Sequence, residues 1–239
     1  MPESRNTFAA YEGFCQLCVK VESFYGFGDV KAMQDLGPEV IVVGFICDTW
    51  DALDNLHLPW PPSLDYPEEL RSYLGRELYQ TTLNDVRGMT DRCFVKPVRL
   101  KKFCGFVWEA LRQDRLRVAT YEDSTPVWVS SLVDFKSEYR CFVQDGKIID
   151  VRKYKGDWSL LPSRSVVEKA IQDFKSAPRA YALDWGVTDD GRTLLVEGND
   201  GFSVGSYGLN SVEYVRLLEA RWEELTSDIT CHTGSGESV

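Results

Sequence analysis

Tyr181–Leu209 reads YALDWGVTDDGRTLLVEGNDGFSVGSYGL. Two runs of strand-forming residues flank Asp189-Asp190-Gly191, the pattern of an antiparallel hairpin. The first strand carries Asp184, and the second exits through Glu197 and Asn199. Alternate residues on a strand share a face, so Glu197 and Asn199 point the same way. A two-residue turn at Asp189-Asp190 predicts Leu195 opposite Asp184, with Glu197 on the diagonal and within side-chain reach. Carboxylate and amide oxygens near mid-sheet are costly unless something binds them. Two carboxylates and an amide oxygen suit Mg²⁺, a hard cation that draws its other ligands from water and phosphate.

Upstream, RCFVKPVRLKK (92–102) carries five Lys or Arg and no acid in a chain of formal charge -10. Lys96 ends an apolar strand run. Lys101 and Lys102 fall in the loop that leads to Gly105. A basic loop of this kind can close over a polyphosphate.

A third segment, EYRCFVQDGKIIDVRKYKGD (138–157), is a second hairpin turning at Asp145-Gly146. Its alternation puts Glu138 and Arg140 on one face. The return strand is expected to bring Lys153 beside Arg140, with Lys155 on the same face as Lys153. Neighbouring cations on a sheet repel unless an anion lies between them.

The remaining chain reads as mixed helix and strand. VIVVGFI (40–46) and VWVSSLV (127–133) are predicted strands. Leu70, Tyr73, Leu74, Leu78 and Thr81 form the apolar stripe of a helix opened by Pro67. SVVE (165–168) is a capping box opening another helix, and a last helix starts near Asn210. The polar, Gly/Ser-rich end is predicted to be a flexible tail from 227 to 239. Antiparallel hairpins mixed with helices indicate an α+β fold. A lobe boundary is placed near Asp91, giving an N-terminal lobe over 1–90 and a nucleotide-binding region over 91–226. There is no GxGxxG or GxxxxGK[ST] motif, which points away from Rossmann and P-loop chemistry.

Net acidity disfavours a nucleic-acid surface. The lack of a long apolar run disfavours a membrane span. Seven cysteines without a visible secretory signal suggest reduced thiols and a cytoplasmic setting. Cys15 and Cys18 have metal-knuckle spacing, but no matching second pair accompanies them, so a metal-free pair is expected. His57 and His232 are too far apart in sequence to suggest a triad or ligand cluster.

Together FVKP (94–97), KKFCG (101–105), VWVSSLV, EYRCFV (138–143), VRKYKGD (151–157), ALDWGV (182–187) and LLVEGNDGFSVG (194–205) resemble the ATP-grasp superfamily. More narrowly, they resemble the clade named for one arginine and two lysines, related to the eukaryotic initiation-factor-2 assembly chaperone. The resemblance covers roughly 50–225 and implies two α+β lobes whose antiparallel sheets enclose ATP and Mg²⁺. By position it implies Lys96 and Lys102 (or, second to it, Lys101) at the phosphates. Backbone groups of Ser130, Ser131, Leu132 and Val133 would form the adenine hinge. Glu138 would accept from ribose or orient Arg140. Arg140 and Lys153 would face the γ-phosphate and the acyl intermediate, and Asp184, Glu197 and Asn199 would hold the metal. The sequence departs from the family in its serine pair at the hinge and its short basic loop.

The implied activity is ATP-dependent ligation of a carboxylate to an amine or thiol through an acylphosphate. Amino acids, peptides and protein termini all stay open as substrates. The alternative is an ATP-binding assembly chaperone without ligase activity. A degenerate scaffold is disfavoured by the intact oxygen triplet.

Overall fold

The computed structural model describes residues 4–25, 28–33, 36–99 and 102–233. Two four-stranded antiparallel sheets form its frame. The first contains β1 (Leu78–Thr82), β2 (Cys93–Pro97), β3 (Phe106–Trp108) and β4 (Pro126–Ser130), in the order β1-β4-β2-β3. The second contains β5 (Phe135–Gln144), β6 (Lys147–Gly156), β7 (Ala180–Thr188) and β8 (Thr193–Asp200), in the order β6-β5-β7-β8. The helices are α1 (Arg5–Gln16), α2 (Ile46–Asn55), α3 (Leu83–Gly88), α4 (Arg112–Arg117), α5 (Arg164–Asp173) and α6 (Ser211–Thr233). Because β1 pairs with β4, the first sheet spans the boundary expected near Asp91.

The second sheet buries its two faces differently. One face places Cys141, Val143, Leu183, Trp185 and Leu195 against Val167, Ala170 and Ile171 of α5. The other face is apolar along only part of its length, where Phe142, Ala180 and Ala182 pack on Tyr214, Val215 and Leu218 of α6. Helix α1 lies against α6 so closely that a Cβ on Gly13 would stand 2.1 Å from the Ser211 carbonyl oxygen. The rest of that sheet face is charged.

Both hairpins form. Asp145 and Gly146 take φ of 48° and 71°, as a type I′ turn requires. The β7–β8 connection is longer than the two-residue turn expected, since the Thr188 amide bonds Arg192 O and Gly191 supplies the left-handed residue at φ 78°. A bulge between Asp184 and Trp185 adds a further shift, so Asp184 stands opposite Glu197, and Leu195 faces Trp185. The two offsets accumulate in one direction and turn the expected diagonal into a direct pair.

Several local expectations are corrected. Residues 40–45 have no ladder partner, with Gly44 and Phe45 in a bend, and Ile46 opens α2. Their apolar side chains pack on the helices instead, with Val42 in a cluster with Leu53 and Trp222. The stripe from Leu70 is a 3-10 helix (Glu68–Tyr73) followed by β1, because Gly75 at φ 58° breaks the helical path. Leu70, Leu74 and Leu78 are nevertheless all buried in one cluster. Helix α5 begins at Arg164, so Ser165 lies inside it rather than capping it. Asn210 does open the last helix, its Oδ1 accepting from the amides of Val212 and Glu213. That helix runs through 227–233, where a tail was expected, and 234–239 lie outside the described residues.

Candidate nucleotide site

A row of four charged residues crosses the second sheet. Arg152, Arg140, Asp184 and Glu197 are consecutive direct partners on β6, β5, β7 and β8. Direct partners share a face, so all four project to the same side. Arg140 and Asp184 form a bidentate pair, with Nε to Oδ1 and Nη2 to Oδ2 both at 2.7 Å. Both are buried. Burial disfavours the Arg140 charge, but the Asp184 carboxylate outweighs it and the guanidinium pKa moves up. Burial pushes the Asp184 carboxyl up, against the pull of Arg140. Asn199 Nδ2 lies 3.4 Å from Asp184 Oδ2.

The first sheet contributes Lys96 from β2. Its Nζ donates to Glu197 Oε2 at 2.7 Å and to Asp65 Oδ1 at 2.5 Å, and lies 5.3 Å from the centre of the Tyr66 ring. Burial opposes the ammonium charge, yet Glu197 and Asp65 together hold the Lys96 pKa above its ordinary value. Arg76 ties the region before β1 to β8 by donating to the carbonyls of Leu195 and Val196 at 2.6 and 2.8 Å.

Around Arg140 the site is aromatic. The Tyr207 ring centre lies 4.4 Å from the guanidinium carbon, and Tyr154 lies 5.1 Å from Tyr207. The Tyr154 hydroxyl donates to Glu138 at 2.9 Å, and Lys155 reaches the same carboxylate at 2.5 Å. Burial, then Asp184 and Glu138, raise the Tyr154 pKa.

The structure thus joins Lys96 to Glu197 and Arg140 to Asp184, with Asn199 and Glu138 alongside. It separates Lys153 from them. A bulge between Phe142 and Val143 places Lys153 opposite Tyr139 on the other face, where it is exposed and bonds Gly156 O. A second bulge, between Glu138 and Tyr139, sets Lys155 opposite Glu138, so Lys153 and Lys155 do not share a face as expected.

Two of the four residues expected at the adenine hinge are engaged elsewhere. Ser130 sits in the ladder between Leu78 and Phe94. Ser131 is tied to Glu77, its amide bonding Glu77 O and its hydroxyl accepting from the Glu77 amide, both at 3.1 Å. Among the described residues no such bond engages the amides of Leu132 or Val133. Lys102 lies in the β2–β3 loop, its carbonyl accepting from the Tyr121 hydroxyl, and Lys101 is outside the described residues.

Residues 73–217, more than half of the chain, match the second family of ATP-grasp domains in the clade named for one arginine and two lysines. The chain belongs to that clade of the ATP-grasp proteins. The resemblance read from the sequence motifs is therefore established, as is the α+β fold with two antiparallel sheets.

The fold is similar to D-cycloserine synthetase DcsG, with a TM-score of 0.57 at 14% identity over 91% of this chain and 93% of that one. It is similar to D-alanine–D-alanine ligase from Bacillus anthracis, with a TM-score of 0.56 at 12% identity over 95% and 97%. Against the ATP-grasp ligase PsnB complexed with a minimal precursor, the TM-score is 0.44 at 18% identity, and the chain spans 61% of that protein's length. No curated protein matches the chain significantly.

The donor chemistry fits Mg²⁺ in part. Asp184, Glu197 and Asn199 offer hard oxygens side by side, and Asn199 directs its nitrogen at Asp184, leaving its amide oxygen available. Both Asp184 oxygens, however, are held by Arg140, and one Glu197 oxygen by Lys96. Among the described residues no cluster of three His, Cys, Asp or Glu is arranged around a common point. Cys15 and Cys18 are exposed at the end of α1. No helix among the described residues is long and apolar enough to cross a membrane.

Proposed function

We propose that this protein is an ATP- and Mg²⁺-dependent ligase that joins a carboxylate to an amine, or to a thiol, through an acylphosphate. The observation that carries the proposal is the meeting of Lys96 with the charged row Arg152–Arg140–Asp184–Glu197. Two sheets contribute opposite charges to one partly buried face, as a metal–polyphosphate site requires. Family membership and the ligase-like fold support the same reading.

In this reading ATP lies between the sheets. Lys96 leaves its carboxylate partners for the phosphates, with Lys102 closing from the β2–β3 loop. Leu132 and Val133 offer free backbone to adenine. Glu138, held by Tyr154 and Lys155, accepts from ribose or steadies the Arg140 strand. Arg140 turns from Asp184 toward the γ-phosphate, freeing Asp184 to join Glu197 and Asn199 as oxygen ligands. Arg152, rather than Lys153, is the second cation on that face. Mg²⁺, when bound, neutralises the triphosphate and orients it.

The γ-phosphoryl group passes to a carboxylate oxygen, giving ADP and the acylphosphate. The amine attacks the acyl carbon, the bond to the phosphate oxygen breaks, and the amine loses a proton. Arg140 stabilises charge on the transferred group and supplies no covalent bond.

The test is ADP release with a mixture of amino acids and short peptides, followed by mass spectrometry for a product one water lighter than its reactants. Acceptor-dependent ADP and a condensed product support the ligase. Bound ATP with neither ADP nor product from any mixture favours the chaperone alternative.

A further inference from the structure

The buried carboxylate of Asp65 lies outside the segment that matches the family, yet it grips the lysine at the centre of the site. Residues 60–67, WPPSLDYP, form a strap that meets the edge strand β8 at Gly198. Its start is fixed by Trp60, which stacks on Trp50 at 4.6 Å and donates to Asp54. Its middle is fixed by the Gly198 amide, which donates to Asp65 O at 2.8 Å. The strap therefore does not need the Asp65 side chain to stay in place.

That side chain has another use. Asp65 is 4% exposed, and its Oδ1 takes the Lys96 ammonium at 2.5 Å. Its Oδ2 is buried with no hydrogen-bond partner. A purely structural ion pair satisfies both oxygens, because an unpaired buried acceptor is costly. Glu197 also holds Lys96, at 2.7 Å, so two carboxylates share one ammonium.

We propose that Asp65 is an internal competitor for the nucleotide: its carboxylate occupies the Lys96 ammonium in place of a phosphate oxygen, and ATP must displace it. The inference rests on the reading of Lys96 as a phosphate-binding residue. It adds that the strap before the family domain sets how readily nucleotide is taken up. Asp65 is thus a positioning residue that acts through Lys96.

The experiment is calorimetry of a non-hydrolysable ATP analogue with Mg²⁺ on the wild type, Asp65→Asn, Lys96→Ala and the double variant. Asparagine keeps an acceptor for Lys96 and removes the charge. Asp65→Ser, which retains the backbone bond to Gly198, serves if the asparagine variant does not fold. The expected result is roughly tenfold tighter binding for Asp65→Asn, the exchange of about one charge-assisted bond. No tightening is expected when Lys96 is already alanine. Unchanged or weaker binding in Asp65→Asn, with a wild type that binds, overturns the proposal. Tightening that persists without Lys96 overturns it too. Binding seen only after Asp65 is replaced supports it. Binding by neither protein removes the nucleotide reading and this proposal with it.

Discussion

Arg140 and Asp184 face each other across β5 and β7, and the guanidinium holds both carboxylate oxygens at 2.7 Å. Arg140 is thereby poised between a protein carboxylate and, in the proposed reaction, a phosphate. A buried pair of this kind is expensive to break from one side. Asp184→Asn leaves Arg140 buried and uncompensated and is expected to cost about 3–5 kcal/mol. Replacing both with leucine costs less than the sum of Arg140→Leu and Asp184→Leu taken singly, since no buried charge then remains. Urea denaturation of the wild type, the two leucine single variants and the double variant measures this, and strict additivity would refute the pairing.

Lys96→Ala is expected to weaken ATP–Mg²⁺ binding tenfold to hundredfold, the range of a lost charge-assisted contact of about 1.5–3 kcal/mol. Lys169→Ala, on the exposed flank of α5 where Lys169 pairs with Asp173, should leave affinity unchanged. Calorimetry on both variants distinguishes a phosphate contact from a general charge effect.

Glu197→Gln keeps an oxygen facing Lys96 and relieves repulsion from Asp184, its direct partner. Lys96 also retains Asp65. The melting temperature without ligand should therefore change little, while the rise produced by ATP–Mg²⁺ should shrink, because ligand stabilisation follows affinity. Melting curves with and without nucleotide decide this. An unchanged nucleotide-induced rise would remove Glu197 from the site.

Gly205 is packed against the aromatic cover of Arg140. A Cβ there would lie 3.0 Å from the Tyr207 ring and 3.4 Å from Arg140 Nη1. Gly205→Ala should displace Tyr207, which sits at φ 45°, and lower turnover more than stability. Equal losses in melting temperature and turnover would indicate a packing role alone.

Asp85 accepts from the hydroxyls of Thr81 and Thr82 at 2.5 and 2.7 Å and from the Thr82 amide at 3.1 Å. These bonds, the Thr81 hydroxyl foremost, hold its pKa below the ordinary 3.8. A depressed pKa means a contribution present above the unfolded value and lost as pH falls through the folded one. Asp85→Asn should therefore melt lower than the wild type near pH 7, and the gap should narrow below about pH 4. Paired melting curves between about pH 7 and about pH 2.5 check the sign.

Much of this architecture is legible in the sequence because hairpins announce themselves locally. Asp145-Gly146 fixes one turn, and Asp189-Asp190-Gly191 marks the other. Register is less legible. Bulges at Phe142/Val143 and Asp184/Trp185 leave no local mark in the sequence, and they move Lys153 off the face of Arg140 and bring Glu197 opposite Asp184. Residues 40–45 carry a strand's composition but meet helices instead of a strand. Asp65 and Tyr207 could not be found from spacing, since each reaches the site by a long-range contact from a loop. Two local features do mark them: the proline-rich frame around Asp65 and the Tyr207-Gly208 pair after the acidic hairpin.

Calorimetric titration of the wild-type protein with ATP, in the presence and absence of Mg²⁺ and with GTP as comparison, tests the central claim most directly. The account predicts one ATP per chain, bound in a Mg²⁺-dependent manner and in preference to GTP. Absence of binding at millimolar ATP with Mg²⁺, in both the wild type and Asp65→Asn, would contradict it.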